Sequence, residues 1–135
     1  MTNNKHVLKF VEESAKLCKP DNIVWITGEE AQLEELRQQA LKTGELIKLN
    51  QEKLPGCYLH RTKVNDVARV EGRTFICSKV KEDSSPINNW METSEALKLL
   101  NGLYKNVMTG RTMYVIPYSM GPVGSKISKI GIELT

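Results

Sequence analysis

Apolar residues recur at helical spacing in three segments of the chain. From about Asn4 to Cys18 they fall three or four residues apart, and the spacing returns from about Glu29 to Thr43 and from about Ser94 to Lys105. Pro20 should stop the first helix, because the proline ring has no N–H and restricts the residue before it. Gly44 stands where the glycine that ends a helix is expected.

The second helix carries a stripe of apolar side chains that we expect to be buried, and the third helix is predicted from a similar stripe. The stripes comprise Leu33, Leu36, Ala40 and Leu41 in the second helix and Ala96, Leu97, Leu100 and Tyr104 in the third.

Short runs of β-branched and aromatic residues lie between the helices and predict strands. These runs cover residues 23–27, 46–49, 57–60, 74–78, 111–118 and 130–134. Asp66 can cap a helical turn through Val70, and the polar stretch from Lys79 to Asn89 is expected to be an exposed loop. Because helices and strands alternate, the sequence predicts an α/β fold, with a mixed β-sheet flanked by helices.

The predicted strand from Arg111 to Tyr118 leads into a segment of small residues. Pro117 cannot donate to a sheet ladder, so the strand should end there or leave by an edge. The following segment is turn-prone, and its main chain could approach a ligand closely. The candidates for the wall of a site are Ser119, Gly121, Gly124 and Ser125, although the same residues make any tight turn.

Composition excludes several classes of function. The 19 basic residues are scattered among 16 acidic ones and give a net charge of +3, so we expect no nucleic-acid partner. No apolar stretch is long enough to span a bilayer and no leader pattern opens the chain, so we expect no membrane partner and a cytoplasmic location. The odd number of cysteines (Cys18, Cys57 and Cys77) and the absence of Cys/His pairing indicate buried free thiols without a metal.

Several blocks of the sequence resemble the GTP-dependent phosphoenolpyruvate carboxykinases, in the family's order and spacing. The blocks are Gly110–Ser125 with Ser128–Thr135, Asp66–Ile76, Asn88–Met91 and, more loosely, Phe10–Glu12 with Leu17–Asp21. The resemblance implies that residues 1–135 form an incomplete N-terminal domain of a larger two-lobed enzyme. That enzyme converts oxaloacetate and GTP to phosphoenolpyruvate, GDP and carbon dioxide in gluconeogenesis.

Arg69 is the candidate substrate-binding residue. A guanidinium group matches a carboxylate in a bidentate manner. From the residues alone, an ion pair with Asp66 or Glu71 on the same turn is the commoner role for such an arginine. The resemblance favours substrate binding instead, because the arginine of the matching Ala-Arg-Val/Ile-Glu motif binds the carboxylates of oxaloacetate or phosphoenolpyruvate in this family. Arg73 and Arg111 are weaker candidates.

Two positions depart from the family's pattern. Lys63 and Val64 stand where the family usually has Asp-Pro, which would loosen the turn leading into Arg69 and leaves its orientation open. Pro86-Ile87 replaces a Gly-Pro pair before Asn-Asn-Trp, which suggests a shifted loop.

The sequence lacks the motifs that phosphoryl transfer requires. The chain contains no Gly-x-x-x-x-Gly-Lys-Ser/Thr loop, no acidic pair placed for a metal and no nucleophile–base pair, so no catalytic residue is expected in it. The resemblance implies that the C-terminal part of the enzyme binds GTP and Mn²⁺ or Mg²⁺. In this family the ligands of the manganese ion are a lysine, a histidine and an aspartate of that part.

We therefore expect this chain to bind no cofactor, to be inactive alone, and to have substrate and that C-terminal part as partners. The apolar segment that stops at Thr135 without a cap also suggests a fragment. The alternative is a free-standing, non-catalytic α/β module that binds carboxylates or serves as an interaction domain.

Overall fold

Helices and strands alternate in the computed structural model of this protein, which describes residues 2–64, 66 and 71–135. The helices are α1 (Lys5–Cys18), α2 (Glu30–Thr43) and α3 (Thr93–Tyr104). The strands are β1 (Asn22–Trp25), β2 (Ile47–Lys48), β3 (Tyr58–Leu59), β4 (Phe75–Ser78), β5 (Asn89–Glu92), β6 (Thr112–Met120) and β7 (Lys129–Leu134). Short 3₁₀ turns lie at Glu71–Arg73 and Lys81–Asp83. The predicted α/β class with a mixed sheet is confirmed.

The chain divides into two compact units. Residues 1–26 and 70–135 contribute to the first unit, and residues 27–69 form the second. The first contains α1, α3 and a sheet in the order β1-β6-β7, together with the pair β4-β5. The second contains α2 and the hairpin β2-β3.

The ends of α1 follow from its sequence. The side-chain oxygen of Asn4 accepts the N–H groups of His6 and Val7 at 2.9 and 3.4 Å, which satisfies two donors of the first turn. At the other end Lys19 takes a left-handed φ of 56° and donates to the carbonyl of Ala15. Pro20 follows directly, so the predicted end of the helix is confirmed.

The buried centre of the first unit lies on β6. Met113 and Val115 are 1% and 0% exposed and point to the same face of the strand, and Val11 of α1 and Ala96 of α3 are also buried. β1 pairs with β6 in parallel, with Trp25 opposite Val115. β1 thus pairs with residues 112–115 of β6 and β7 with residues 115–120, so the two neighbours meet at Val115.

Pro117 lies inside β6 and not at its end. Tyr114 and Thr135 exchange two main-chain hydrogen bonds at 2.8 and 3.1 Å. In the alternating antiparallel ladder, the main-chain N–H and C=O groups of the even-numbered residues of β6 therefore point toward β7. The nitrogen of Pro117 therefore faces the opposite side, where β1 has already ended at Trp25. The last bond on that side runs from the N–H of Ile26 to the carbonyl of Val115. The missing N–H of Pro117 interrupts none of the bonds to β7, so the strand continues to Met120, which is the edge alternative of the prediction.

The sequence prediction missed β5. Residues 89–92 pair in parallel with β4, from Phe75 opposite Asn89 to Ser78 opposite Glu92. Apolar and polar residues do not alternate in Asn-Trp-Met-Glu, and the predicted loop extended through Asn89. The strand exists because β4 supplies its hydrogen-bond partners.

The predicted burial of the stripe on the second helix is wrong in the part of the chain that the structure describes, and the stripe of the third helix is largely exposed as well. In α3, Leu97 is 55% and Tyr104 52% exposed, and Ala96 alone is buried. In α2 no residue is buried, and Leu33 is exposed. The helical spacing is correct, but a stripe is buried only where another layer of the same unit covers it.

Arg37 links the elements of the second unit. Its guanidinium lies 5.8 Å from the ring centroid of Tyr58 on β3 and also pairs with Glu34 one helical turn away. The connection between β2 and β3 is closed by the Gln51 amide, which donates to the carbonyls of Leu49 and Cys57 at 2.8 and 3.0 Å. These contacts hold the short hairpin and the helix as one unit.

The cysteines are free thiols, as predicted, but their predicted burial is wrong for two of them. Cys18 is half-buried, whereas Cys57 and Cys77 are exposed. Cys57 follows the turn at Gly56, and Cys77 lies in a two-stranded sheet. Among the described residues, no helix combines the length and apolarity that crossing a membrane requires.

Hydrogen bonds join residues 17–21 to residues 106–111 within the first unit, and we call this contact the junction. The N–H groups of Asn106 and Met108 donate to the carbonyls of Leu17 and Cys18, each at 2.9 Å. These carbonyls belong to the last turn of α1 and have no partner within the helix. The incoming segment therefore caps the helix.

Asp21 completes the same junction. Its Oδ1 accepts the N–H of Gly110 at 2.9 Å, and its own N–H donates to the carbonyl of Arg111 at 2.9 Å. The next residue, Asn22, is the first that pairs with β6. Asp21 thus sets the register of β1 against β6.

Replacing Asp21 with alanine should destabilise the first unit. The substitution leaves the Gly110 N–H without its acceptor, and we expect a loss of about 1 kcal/mol in the free energy of unfolding by urea. Asp21→Asn is the matched control, because its amide oxygen can still accept that bond, and it should retain most of the stability. Equal losses in both variants would contradict this role.

Glu92 caps the N-terminus of α3. Its Oε2 accepts the N–H groups of Ser94 and Glu95 at 2.7 and 3.1 Å and the hydroxyl of Ser94. The Ser94 hydroxyl and these N–H groups lower the pKa of the carboxyl below its ordinary 4.5, against a smaller opposing effect of burial. A carboxylate at this position also complements the helix dipole.

The stabilisation from Glu92 should depend on pH. A pKa lowered by folding contributes stability above the unfolded value of 4.5, and this is lost as the pH falls through the folded value. At pH 7 the wild type should therefore have a higher melting temperature, followed by circular dichroism, than Glu92→Gln. In acid this difference in melting temperature should vanish. Glu82→Gln, which removes a carboxylate outside α3, controls for net charge. A difference between wild type and Glu92→Gln that is independent of pH would refute the assignment.

Candidate functional site

The leading candidate from the sequence, Arg69, lies outside the described residues, as does most of the predicted turn from Asp66 to Val70. The weaker candidates are described. Arg73 ends the turn at Glu71–Arg73, and Arg111 precedes β6. Both are exposed, and neither takes part in an ion pair with the described acidic residues.

The chain just after Arg69 is held by the motif Asn88–Met91. The Nδ2 of Asn89 donates to the carbonyls of Glu71 and Thr74, at 2.9 and 3.2 Å. One residue on, the Nε1 of Trp90 donates to the Oγ of Ser78 at 2.8 Å. The two side chains thus fix both ends of the segment that contains β4. Sequence reasoning missed this role, since the only signal was the match of the motif to a family.

The four candidate wall residues lie on a single hairpin. Ser119 is part of β6, and the other three lie in the loop of residues 121–128 that joins β6 to β7. The Oγ of Ser119 donates to the carbonyl of Gly121 at 2.9 Å, and the Oγ of Ser128 donates to that of Pro122 at 2.7 Å. Ser125 accepts the N–H of Ser128 on its carbonyl at 3.2 Å. Serine side chains thus brace the loop at both of its ends.

Glycine is required at the start of this loop. Gly121 has a φ of +108°, and a Cβ placed on it would lie 2.7 Å from the Oγ of Ser128. Gly124 has a φ of +87°, with open space around it. Backbone at positive φ is unfavourable for other residues, so the loop's shape depends on both glycines.

The loop can act chemically as a hydrogen-bond donor surface. The hydroxyls of Ser119 and Ser128 donate to carbonyls of the loop itself and are therefore structural. The N–H groups of Val123, Gly124 and Lys126 find no acceptor among the described residues, so they are available to solvent or to a ligand. Such groups suit an anionic ligand, which agrees with the wall role predicted for this segment but does not test it.

A separate groove of about 840 Å³ lies between α1 and β1. Its lining is mainly apolar and includes Leu8, Ala15 and Trp25. At its rim Glu12 accepts a hydrogen bond from Lys16 at 2.7 Å, which lowers the pKa of the Glu12 carboxyl. None of the predicted site residues that the structure describes lines this groove. In the described part of the chain, no three His, Cys, Asp or Glu side chains are grouped so that they could hold a metal ion.

Fold and site together define a mixed α/β domain with a glycine-shaped hairpin loop as its candidate ligand surface. A model of the phosphoenolpyruvate carboxykinase N-terminal domain matches residues 9–135. The chain is 50% identical over 134 residues to "Phosphoenolpyruvate carboxykinase [GTP]" of Anaeromyxobacter sp. (strain K). It is 48% identical over 132 residues to the protein of the same name from Neocallimastix frontalis.

The chain therefore belongs to the phosphoenolpyruvate carboxykinase N-terminal domain family, and the resemblance noted from the sequence blocks is confirmed. These matches cover 99% and 98% of the chain but only 22% of each relative's length. The curated relatives are thus several times longer than this chain.

The two glycines allow a matched test of the loop. Gly121→Ala combines an unfavourable φ with the clash against Ser128, and we expect it to lower the free energy of unfolding by about 2–3 kcal/mol. Gly124→Ala carries the unfavourable φ alone and should cost about 1 kcal/mol. Urea unfolding of both variants measures the difference, and equal costs would show that Ser128 does not restrict the loop.

Proposed function

We propose that this chain contributes substrate-carboxylate binding to a GTP-dependent phosphoenolpyruvate carboxykinase. In the proposed reaction oxaloacetate and GTP give phosphoenolpyruvate, GDP and carbon dioxide, in the cytoplasm and as a step of gluconeogenesis. The observation that carries the proposal is 50% identity across 134 residues to a relative with that name. The match includes the block around Arg69, which gives the proposal its binding residue.

Arg69 supplies the cationic part of the proposed site. Oxaloacetate and phosphoenolpyruvate both carry carboxylates, and a guanidinium group stays charged at every relevant pH and can hold a carboxylate through two parallel hydrogen bonds. Such a fixed geometry orients the substrate as well as binding it. The proposed role of Arg69 is therefore to bind and orient the substrate.

The hairpin loop supplies the proposed wall. Its N–H groups at Val123, Gly124 and Lys126, which have no acceptor among the described residues, can donate to a negatively charged ligand, as Arg69 can. Decarboxylation of oxaloacetate leaves an enolate, and its negative charge must be stabilised. The loop is braced by Ser119 and Ser128, so its donors need little reorganisation when a ligand binds. This supports the proposal that residues 119–125 line the substrate.

GTP and a divalent cation, Mn²⁺ or Mg²⁺, belong to the proposed reaction of the whole enzyme. When bound, the cation stabilises negative charge on the enolate and phosphate oxygens. The described residues do not fit such a cation, because they contain no suitable group of ligands. We therefore propose that the remaining C-terminal part of the enzyme holds both cofactors, that it is this chain's partner, and that the chain alone is inactive.

Titration of the 135-residue chain with phosphoenolpyruvate, followed by NMR, tests the proposal. We expect shifts confined to residues 66–73 and 119–125, and Arg69→Ala should weaken binding at least about tenfold, because an unpaired carboxylate is left behind. Arg61→Ala is the matched control, since it removes an exposed arginine that is not a candidate for the site, and it should bind like wild type.

Two results would contradict the proposed function. One is binding that Arg69→Ala leaves unchanged, which would assign the carboxylate to other residues. The other is a folded chain that shows no shifts up to high millimolar phosphoenolpyruvate, which would favour the alternative of an interaction module.

A further inference from the structure

The block Asn88–Met91 has no part in the proposed function, yet it makes specific contacts. We infer that Asn89 is a positioning residue for the substrate-binding motif that contains Arg69. The inference rests on the proposed function, because it assumes that Arg69 binds the substrate carboxylate. It assigns to Asn89 no contact with the substrate.

A single planar amide spans the turn that follows the motif. The Nδ2 of Asn89 donates to the carbonyl of Glu71, where the turn begins, and to that of Thr74, just after it ends, at 2.9 and 3.2 Å. Both distances lie within the ordinary range for N–H···O bonds. The two bonds therefore fix the start and the end of the turn relative to each other.

A main-chain bond also closes this turn. The main-chain bond from the N–H of Thr74 to the carbonyl of Glu71 is 3.3 Å long, at the weak end of the range. The bond from Asn89 to the same carbonyl is 0.4 Å shorter. Short 3₁₀ turns also have poorer hydrogen-bond geometry than α-helices. Of the two bonds that described residues donate to the Glu71 carbonyl, the one from Asn89 is thus the stronger.

Asn89 is itself held in place by the sheet. It is the first residue of β5 and lies opposite Phe75 in the parallel ladder with β4. A long-range strand pair therefore fixes the backbone from which the amide reaches the turn. Rigid elements position side chains more accurately than loops do.

Glu71 is two residues after Arg69 in the sequence. Fixing its carbonyl fixes the point from which the chain runs back into the substrate-binding motif. A bidentate bond between a guanidinium and a carboxylate tolerates little displacement, and misplacement of a binding group by about 1 Å has a large effect on how well it functions. Loss of the Asn89 bonds should therefore weaken substrate binding without removing any group that touches the substrate.

Trp90 provides the matched control. Its indole N–H donates to the Oγ of Ser78, the last residue of β4. Trp90→Phe removes this bond and keeps an aromatic side chain, so it weakens the same pair of strands at the end that does not adjoin the motif. An effect that only reflects the stability of β4 and β5 would appear in both variants.

The experiment measures phosphoenolpyruvate binding and urea unfolding in parallel for Asn89→Ala and Trp90→Phe, with Arg69→Ala as the reference. We expect Asn89→Ala to raise the Kd about five- to tenfold, and Trp90→Phe to leave it within twofold of wild type at a similar loss of stability. Asn89→Gln keeps an amide donor and should recover part of the affinity. Asn89→Thr, which suits a strand but lacks the amide, replaces the alanine variant if that variant does not fold.

The outcomes separate the inference from the proposed function. If Arg69→Ala abolishes binding while Asn89→Ala binds like wild type, the inference is wrong and the proposed function stands. Equal weakening by Asn89→Ala and Trp90→Phe also overturns the inference, since it indicates a general effect on the two strands. If Arg69→Ala itself binds normally, the proposed function fails and the inference fails with it.

Discussion

The sheet of the first unit depends on the junction between residues 17–21 and 106–111. Asp21 and Gly110 are 89 positions apart in the sequence, and bringing them together costs conformational entropy that a four-residue strand such as β1 repays poorly. Main-chain bonds to Leu17 and Cys18 help to offset this cost while they satisfy carbonyls at the end of α1. One set of contacts thus ends a helix, sets a parallel register and brings β6, which carries the buried Met113 and Val115, into place.

Beyond this centre much apolar surface stays open. The hairpin loop carries Val123 and Ile127 at 87% and 86% exposure, and α3 shows most of its apolar stripe. Side chains of this kind are usually covered when they occur in groups, since contiguous apolar patches mark interaction surfaces. The exposure agrees with the proposal that this chain works together with the remaining part of a carboxykinase, whose relatives are several times longer.

The two segments proposed to serve the substrate are organised by different means. The loop after β6 takes its shape locally, from glycines at positive φ and from serine hydroxyls that donate to its own carbonyls. The segment after Arg69 is held at long range, by Asn89 on a neighbouring strand. A locally determined loop can be recognised from its residue types. A long-range restraint becomes visible only when the partner strand is in place.

Features that depend on neighbouring residues could be predicted from the amino-acid sequence. Apolar spacing, Pro20 and Gly44 placed the ends of α1 and α2 within a residue, and the blocks around Arg69 and Gly121 identified the family. Tertiary structure alone decided the rest. It made a strand of residues 89–92, let β6 continue through Pro117 because β1 ends at Trp25, and left the stripe of α3 largely uncovered. These outcomes depend on which partner lies alongside a segment, and strand pairing and burial are contacts between residues far apart in the chain.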